Sequence, residues 1–252
     1  MSNIIELGRL TRKDVKELAP KAIVVLPIGS TEQHGEHLPL LTDALIADTI
    51  CRRALAVVDT PSPVVLAPLM PFGNSHHHLF ACAISLSADT YVRVLRDICS
   101  TLSRSGFERI LFVNGHGGND QAMRLVSNDV VLDLPLTVAA CSYWTLTSVT
   151  PDAPQVQGGH AGVYETAVMQ HIAPDLVGTP GAHLGDTPAF FDQVLSNGLL
   201  VNRHNEWARI GGVTERPDAA TEEMGRLIVE DRAQALAAAI TSFDAASGKK
   251  DN

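Results

Sequence analysis

The sequence contains no apolar run approaching the ~20 residues that a helix needs to cross a bilayer, so no membrane span is expected. It has no CxxC pair either: Cys51, Cys82, Cys99 and Cys141 stand apart. They are read as free thiols of a reducing compartment. Positive charge is in short supply. The 19 Lys and Arg against 28 Asp and Glu give a formal net charge of -9. That sign repels phosphate backbones and makes nucleic acid a poor partner. No block of like charge suggests a binding tail, and the N-terminal stretch has scattered charges without an apolar core of signal-peptide length. These absences together predict a soluble, cytoplasmic protein without membrane or nucleic-acid partners.

What the chain does have is alternation. Ala22 to Ile28 (AIVVLPI), Val64 to Met70 (VVLAPLM) and Ile110 to Asn114 (ILFVN) are almost continuously apolar, as strands buried on both faces of a sheet are. Leu136 to Ser142 is a weaker fourth. Helical patterns lie between and after them: Asp43 to Val58, Asp89 to Ser105 with Ser87 or Asp89 as cap, Asn119 to Asp133, His160 to His171 and the long Ala219 to Phe243. Strands alternating with helices predict an α/β fold with a mainly parallel sheet. Ligands of such sheets sit outside the C-terminal ends of the strands, so site residues should directly follow the apolar runs. The Gly- and Pro-rich stretch from Pro174 to Pro217 is expected to cover or border the site. Without repeats, low-complexity segments or a linker, residues 1–252 are expected to form one domain.

Acids and histidines do follow the apolar runs. After the first come Glu32, His34 and, at an expected helix start, Asp43; two residues apart in an extended segment, Glu32 and His34 share one face. After the third, His116 sits in the turn Gly115-His116-Gly117-Gly118-Asn119, where glycine lets the backbone approach a ligand closely. His160 and Glu165 open a later helix. Asn74-Ser75-His76-His77-His78 follows the second run, and of its histidines His78 is the preferred site residue. Carboxylates with imidazoles are the usual donors for Zn, Mn or Fe in hydrolases. The competing readings are a helix cap for Asp43 and a plain turn around His116, and four such clusters in four ligand-facing places weigh against both.

The segments GSTEQHGEHLPLLTD, NGHGGN and GGHAGVYET, in that order, resemble the three signature segments of the creatininase (creatinine amidohydrolase) family. The resemblance implies a three-layer α/β/α fold, a homohexamer and a centre of two divalent ions, Zn, Mn or Fe. It implies Glu32, His34, Asp43 and His116 as metal ligands with Asp43 bridging, His160 as a catalytic and substrate-binding histidine, and Ser75 near the substrate, where His78 is also expected from its place after the second run. Creatininase carries a ligand glutamate where this chain has Gly118. Family members with NGHGGN point instead to Glu165, expected here as a ligand and catalytic carboxylate.

Other departures bear on the substrate. A Trp-Asp pair of creatininase is replaced by Val156 and Gln157, and Phe-Pro-Gly-Thr by Phe80-Ala81-Cys82-Ala83. Cys82 is read as a small buried residue and Arg216 as a surface arginine. The scaffold also serves formamide deformylases, a peptide-trimming enzyme of mycofactocin maturation and a keto-inositol ring hydrolase. The expected activity is metal-dependent hydrolysis of a C–N bond in a small cyclic amide, with deformylation as the runner-up. His160 is expected to protonate the leaving nitrogen.

Overall fold

A computed structural model of the chain describes residues 4–151, 153–154, 158–180 and 201–248. In chain order these form β1 (Ile5–Glu6), α1 (Arg12–Leu18), β2 (Ile23–Ile28), α2 (Thr42–Val57), β3 (Val64–Leu66) and α3 (Ala88–Arg104). Then come β4 (Arg109–Asn114), α4 (Asp120–Asp133), β5 (Thr137–Ser142), α5 (Val163–Ile172), α6 (Glu206–Arg209) and α7 (Glu222–Ser247). The sheet order is β1-β3-β2-β4-β5, and every described pairing is parallel.

The continuous apolar runs are explained by burial on both faces. Side chains alternate across a strand, so Ile23, Val25, Leu111 and Val113 enter one core with Ile46 and Ile50 of α2, Val168 and Met169 of α5, and Leu236 and Ile240 of α7. Val24, Leu26, Ile110 and Phe112 enter the other with Tyr91 and Leu95 of α3 and Met123 and Val126 of α4. The result is the three-layer α/β/α arrangement.

Pro27 lies inside β2 without penalty. Its carbonyl accepts from Met70 N–H at 3.0 Å on the β3 side. A proline's missing N–H therefore falls on that same side, where β3 has already left the ladder at Leu66.

Several boundaries differ from expectation. The second apolar run yields only Val64–Leu66 as strand, with Met70 rejoining Ile28 through an isolated bridge. The expected helix from His160 starts at Val163, leaving His160 in the preceding loop. The expected helix from Ala219 starts at Glu222, where Thr221 Oγ1 accepts from Met224 N–H. Ser87, not Asp89, caps α3. No helix among the described residues is long and apolar enough to cross a membrane.

Candidate metal centre

Because all strands run parallel, their C-terminal ends share one edge, and the segments leaving that edge carry the site. The segment after β2 is pinned from two sides: Glu32 N–H donates to Leu40 O at 2.9 Å, and Gln33 N–H to Cys82 O at 2.7 Å. This holds Glu32 extended and wholly buried. Asp43 lies in the first turn of α2, 2% exposed, and makes no capping bond; the helix-cap reading of this residue fails. His116 is held by Asn114, whose Oδ1 accepts the His116 N–H at 3.0 Å while its Nδ2 donates to His116 O at 2.7 Å. Asn119 ties the same turn to the first segment by donating to Gly29 O.

The two histidines nearest the sheet share one arrangement. His34 Nδ1 donates to Glu32 O at 3.0 Å, so Nε2 is the nitrogen left to face inward. That nitrogen faces Asp43 Oδ1 at 3.1 Å and Glu165 Oε2 at 3.6 Å. His116 Nε2 donates to Asn74 O at 3.0 Å, and its Nδ1 faces Asp43 Oδ2 at 3.1 Å and Glu32 Oε1 at 3.3 Å. An outer N–H given to a carbonyl, with the inner nitrogen aimed inward, is how proteins orient metal-ligating histidines. Glu32 Oε1 and Asp43 Oδ2 are buried and make no hydrogen bond. Buried carboxylate oxygens without donors are costly unless a cation or proton sits between them. The donor set therefore fits divalent cations.

Electrostatics agree. Burial by itself pushes the His34 imidazole down, yet the Asp43 and Glu165 carboxylates outweigh it and raise it to about 10. His116 is likewise raised well above the ordinary range, against its burial, by Glu32 and Asp43. Burial, and then the Asp43 charge, lift Glu165 to about 8 in spite of His34.

The remaining expected residues gather around this cluster. Glu165 enters from the start of α5, its Oε2 accepting Ala161 N–H at 2.6 Å. Ala161 has φ 53°, a left-handed conformation that brings His160 and Glu165 to one cavity from outside and inside the helix. A Cβ at Gly118 would lie 2.6 Å from His116 Nε2 and against Asn74 O, so this backbone has no room for a side chain there, while the Glu165 carboxylate lies 3.6 Å from His34 Nε2. His160 Nδ1 and His78 Nε2 lie 3.5 and 3.3 Å from Glu32 Oε1. Burial drives both imidazoles down, His78 to about 3. His160 is thereby set below the ~6.5 of the unperturbed imidazole from which its expected role starts, first by burial and then by His34 and His78. Ser75 is completely buried, bonded to Ser30 and 3.3 Å from His116 Nε2. His77 stacks over His116, rings 5.6 Å apart, and His76 turns outward to Ser85.

Cys82 is exposed rather than buried; it serves through its carbonyl. Arg216 is a surface residue beside Asp218, as expected. Val156 and Gln157 lie outside the described residues, as do residues 181–200 of the Gly- and Pro-rich stretch. The described part of that stretch does border the site. Trp207 packs on His78, His77 and His160 with ring centroids 4.7, 4.8 and 5.6 Å away, and Thr214 Oγ1 accepts His160 N–H at 2.7 Å. Neither was foreseen, because no spacing rule links residues so distant in sequence. Ser30, Gln33, Asn114 and Asn119 lay inside the recognised segments but lacked a titratable group to single them out.

A parallel α/β sheet with buried carboxylates and inward-turned imidazoles at its C-terminal edge is the arrangement of a metal-dependent hydrolase. The Creatininase family model, described as creatinine amidohydrolase, matches residues 8–240. The chain is 34% identical over 231 residues to the mycofactocin precursor peptide peptidase of Mycobacterium ulcerans (strain Agy99), covering 88% of this chain and 85% of that one. It is 28% identical over 202 residues to the creatinine amidohydrolase of Pseudomonas putida, 70% and 75% of the two chains. A manganese creatininase structure superposes with TM-score 0.74 at 25% identity, covering 95% and 98%. The chain belongs to the creatininase family, and it is a metal-dependent hydrolase of carbon–nitrogen bonds.

Proposed function

We propose that the protein is a binuclear metallohydrolase that cleaves an amide bond near the end of a peptide or peptide-like molecule. The paired aim of His34 and His116, each toward two carboxylate oxygens that share Asp43, carries the reading of the centre. His34, Asp43 and Glu165 would hold one ion and Glu32 and His116, with Asp43 shared, the other. Divalent ions, Zn, Mn or Fe, when bound there polarise a carbonyl and lower the pKa of water.

The chain's own residues do the rest. Glu32 is fixed by the Ser30 hydroxyl, which donates to its Oε2 at 2.9 Å. Ser75 backs both Ser30 and His116. His160 Nδ1 faces the cavity and takes the proton of the attacking water, then delivers it to the leaving nitrogen. This refines the expected role of His160: a neutral ring must accept before it donates. His78 and Trp207 wall the cavity and exclude water from it.

The peptide reading draws on the relatives: mycofactocin precursor peptide peptidases align over most of the chain at up to 35% identity. The loss of the Trp-Asp pair speaks against creatinine itself. A small cyclic amide is the second reading, favoured by the resemblance to creatinine amidohydrolase. Zn- or Mn-loaded protein incubated with short peptides, creatinine and a formamide, and followed by mass spectrometry, separates these. Shortened peptides are expected. Creatine as the sole product would install the second reading, a deformylated amine the third. Metal-loaded protein inert toward all three would overturn amide hydrolysis.

The protein is further proposed to act in the cytoplasm as one domain and a homohexamer. Leu40, Leu41, Phe72, Leu79, Phe80 and Ile84, in the segments that follow β2 and β3, are exposed, and apolar side chains left open there support contacts between copies.

A further inference from the structure

Gln33 lies between two ligand-bearing positions, is 6% exposed, and has no part in the centre as described above. Its amide is nonetheless committed at both ends. Oε1 accepts the Gly35 N–H at 3.0 Å, which fixes which end of the amide is oxygen. Nε2 then faces His78 Nδ1 at 2.8 Å, His160 Nε2 at 3.1 Å and Gly212 O at 3.2 Å. Two hydrogens cannot serve three acceptors, and the main chain resolves the conflict. His160 Nε2 is 2.8 Å from Gln33 O. A carbonyl only accepts, so His160 Nε2 carries a proton and offers no lone pair to the amide. The amide hydrogens therefore go to His78 Nδ1 and Gly212 O.

The consequence is a pair of rings with opposite polarity. His78, accepting at Nδ1, presents Nε2–H toward Glu32 Oε1 at 3.3 Å. His160, donating at Nε2, presents the Nδ1 lone pair at 3.5 Å from the same oxygen. The rings stack at 4.2 Å, 20° from parallel, so neither can turn without displacing the other.

We infer that Gln33 is a positioning residue whose side-chain amide and main-chain carbonyl fix the tautomers of His78 and His160, giving the cavity one N–H and one lone pair. Gly212 belongs to the same device. Its φ of 69° favours glycine, and a Cβ there would lie within 2.8 Å of Gln33 Oε1 and against Nε2. The closeness of residue 212 is what lets its carbonyl take the second amide hydrogen.

The test is the nitrogen-15 spectrum of the histidine rings in the full-length, zinc-loaded protein, with His78 and His160 assigned by His78→Gln and His160→Gln. In the native chain both Nε2 atoms should resonate as protonated and both Nδ1 atoms as unprotonated. Finding His160 protonated at Nδ1 overturns the inference without any Gln33 variant. Gln33→Glu replaces the donating NH2 by an acceptor of the same shape. His78 should then move its proton to Nδ1, while His160, held by the main chain, keeps its tautomer. Gln33→Met, which can neither donate nor accept, should leave His78 distributed between tautomers, and Gly212→Ala should do the same. His78 unchanged in a folded Gln33→Glu or Gln33→Met protein that retains its zinc overturns the role. The readout needs no substrate, so it stands or falls apart from the proposed activity.

Discussion

Protons and divalent cations compete for the same atoms of this centre. In the metal-free fold His34 is raised to about 10 and Glu165 to about 8, above the ~6.5 and ~4.3 of unfolded chains. Protonation at these residues therefore stabilises the metal-free fold fully below the unfolded values, and that stabilisation is lost as pH rises through about 8 and about 10. A cation needs His34 neutral and Glu165 ionised, so its affinity runs the other way and grows with pH. Zn2+ or Mn2+ should raise the melting temperature more near pH 8 than near pH 6, with protons released on binding. Thermal shifts that are flat across that range would contradict the donor set. Substitutions should sort the positions. Asp43→Asn, removing the shared carboxylate, is expected to strip both ions. Glu165→Gln should cost only the ion beside His34, as read by elemental analysis. Ser30→Ala leaves every donor in place but frees Glu32 Oε2, and should weaken metal binding by roughly 10–100-fold. Individual residues of this kind were legible in the sequence when they titrate: Glu32, His34, Asp43, His116, His160, Glu165 and His78 all converge. Gln33, Asn119 and Trp207 were not, since hydrogen bonding and stacking leave no mark on composition.

At the scale of elements, the site depends on how closely α5 approaches α7. Gly225 on α7 lies against Ala167 and Val168 of α5, and a Cβ there would collide with the Ala167 carbonyl. Gly225→Ala should force the helices apart and destabilise the fold by ~1–3 kcal/mol, about 2–4 °C in melting temperature per kcal/mol for a chain of this size. Because α5 carries Glu165, the same variant should also retain less metal. A stable variant with full metal content would show that the contact yields easily. Elements with long apolar runs, β2 and β4, were readable because both faces are buried. β1 and α1 escaped notice. The strand has two residues, and α1 announces itself only by the capping box of Thr11 with Asp14. The start of α5 was misread because Ala161 bends the backbone before the helix begins, and a left-handed alanine is not a sequence signal.

For the whole molecule, the exposed apolar side chains in the segments after β2 and β3 predict association. Light scattering after size exclusion should give a mass several times 26.9 kDa, and Leu79→Glu with Ile84→Glu should reduce it while leaving the isolated fold intact. A monomeric native protein would leave those side chains to another role. The net charge of -9 predicts no retention on a DNA resin at low salt, where repulsion is least screened; retention there would contradict it. By itself the sequence determined the layered α/β fold, because strands buried on both faces must be apolar throughout and must alternate with helices that cover them. It also determined the metal-binding chemistry, because carboxylates and imidazoles were set after those strands. Only the tertiary structure decided which oxygen faces which nitrogen, and that Trp207, Gly212 and Thr214 return to close the cavity. Apart from His34 with Glu32 and Asp43, those are contacts between residues tens to more than a hundred positions apart, fixed by packing and hydrogen-bond geometry, which no local pattern encodes.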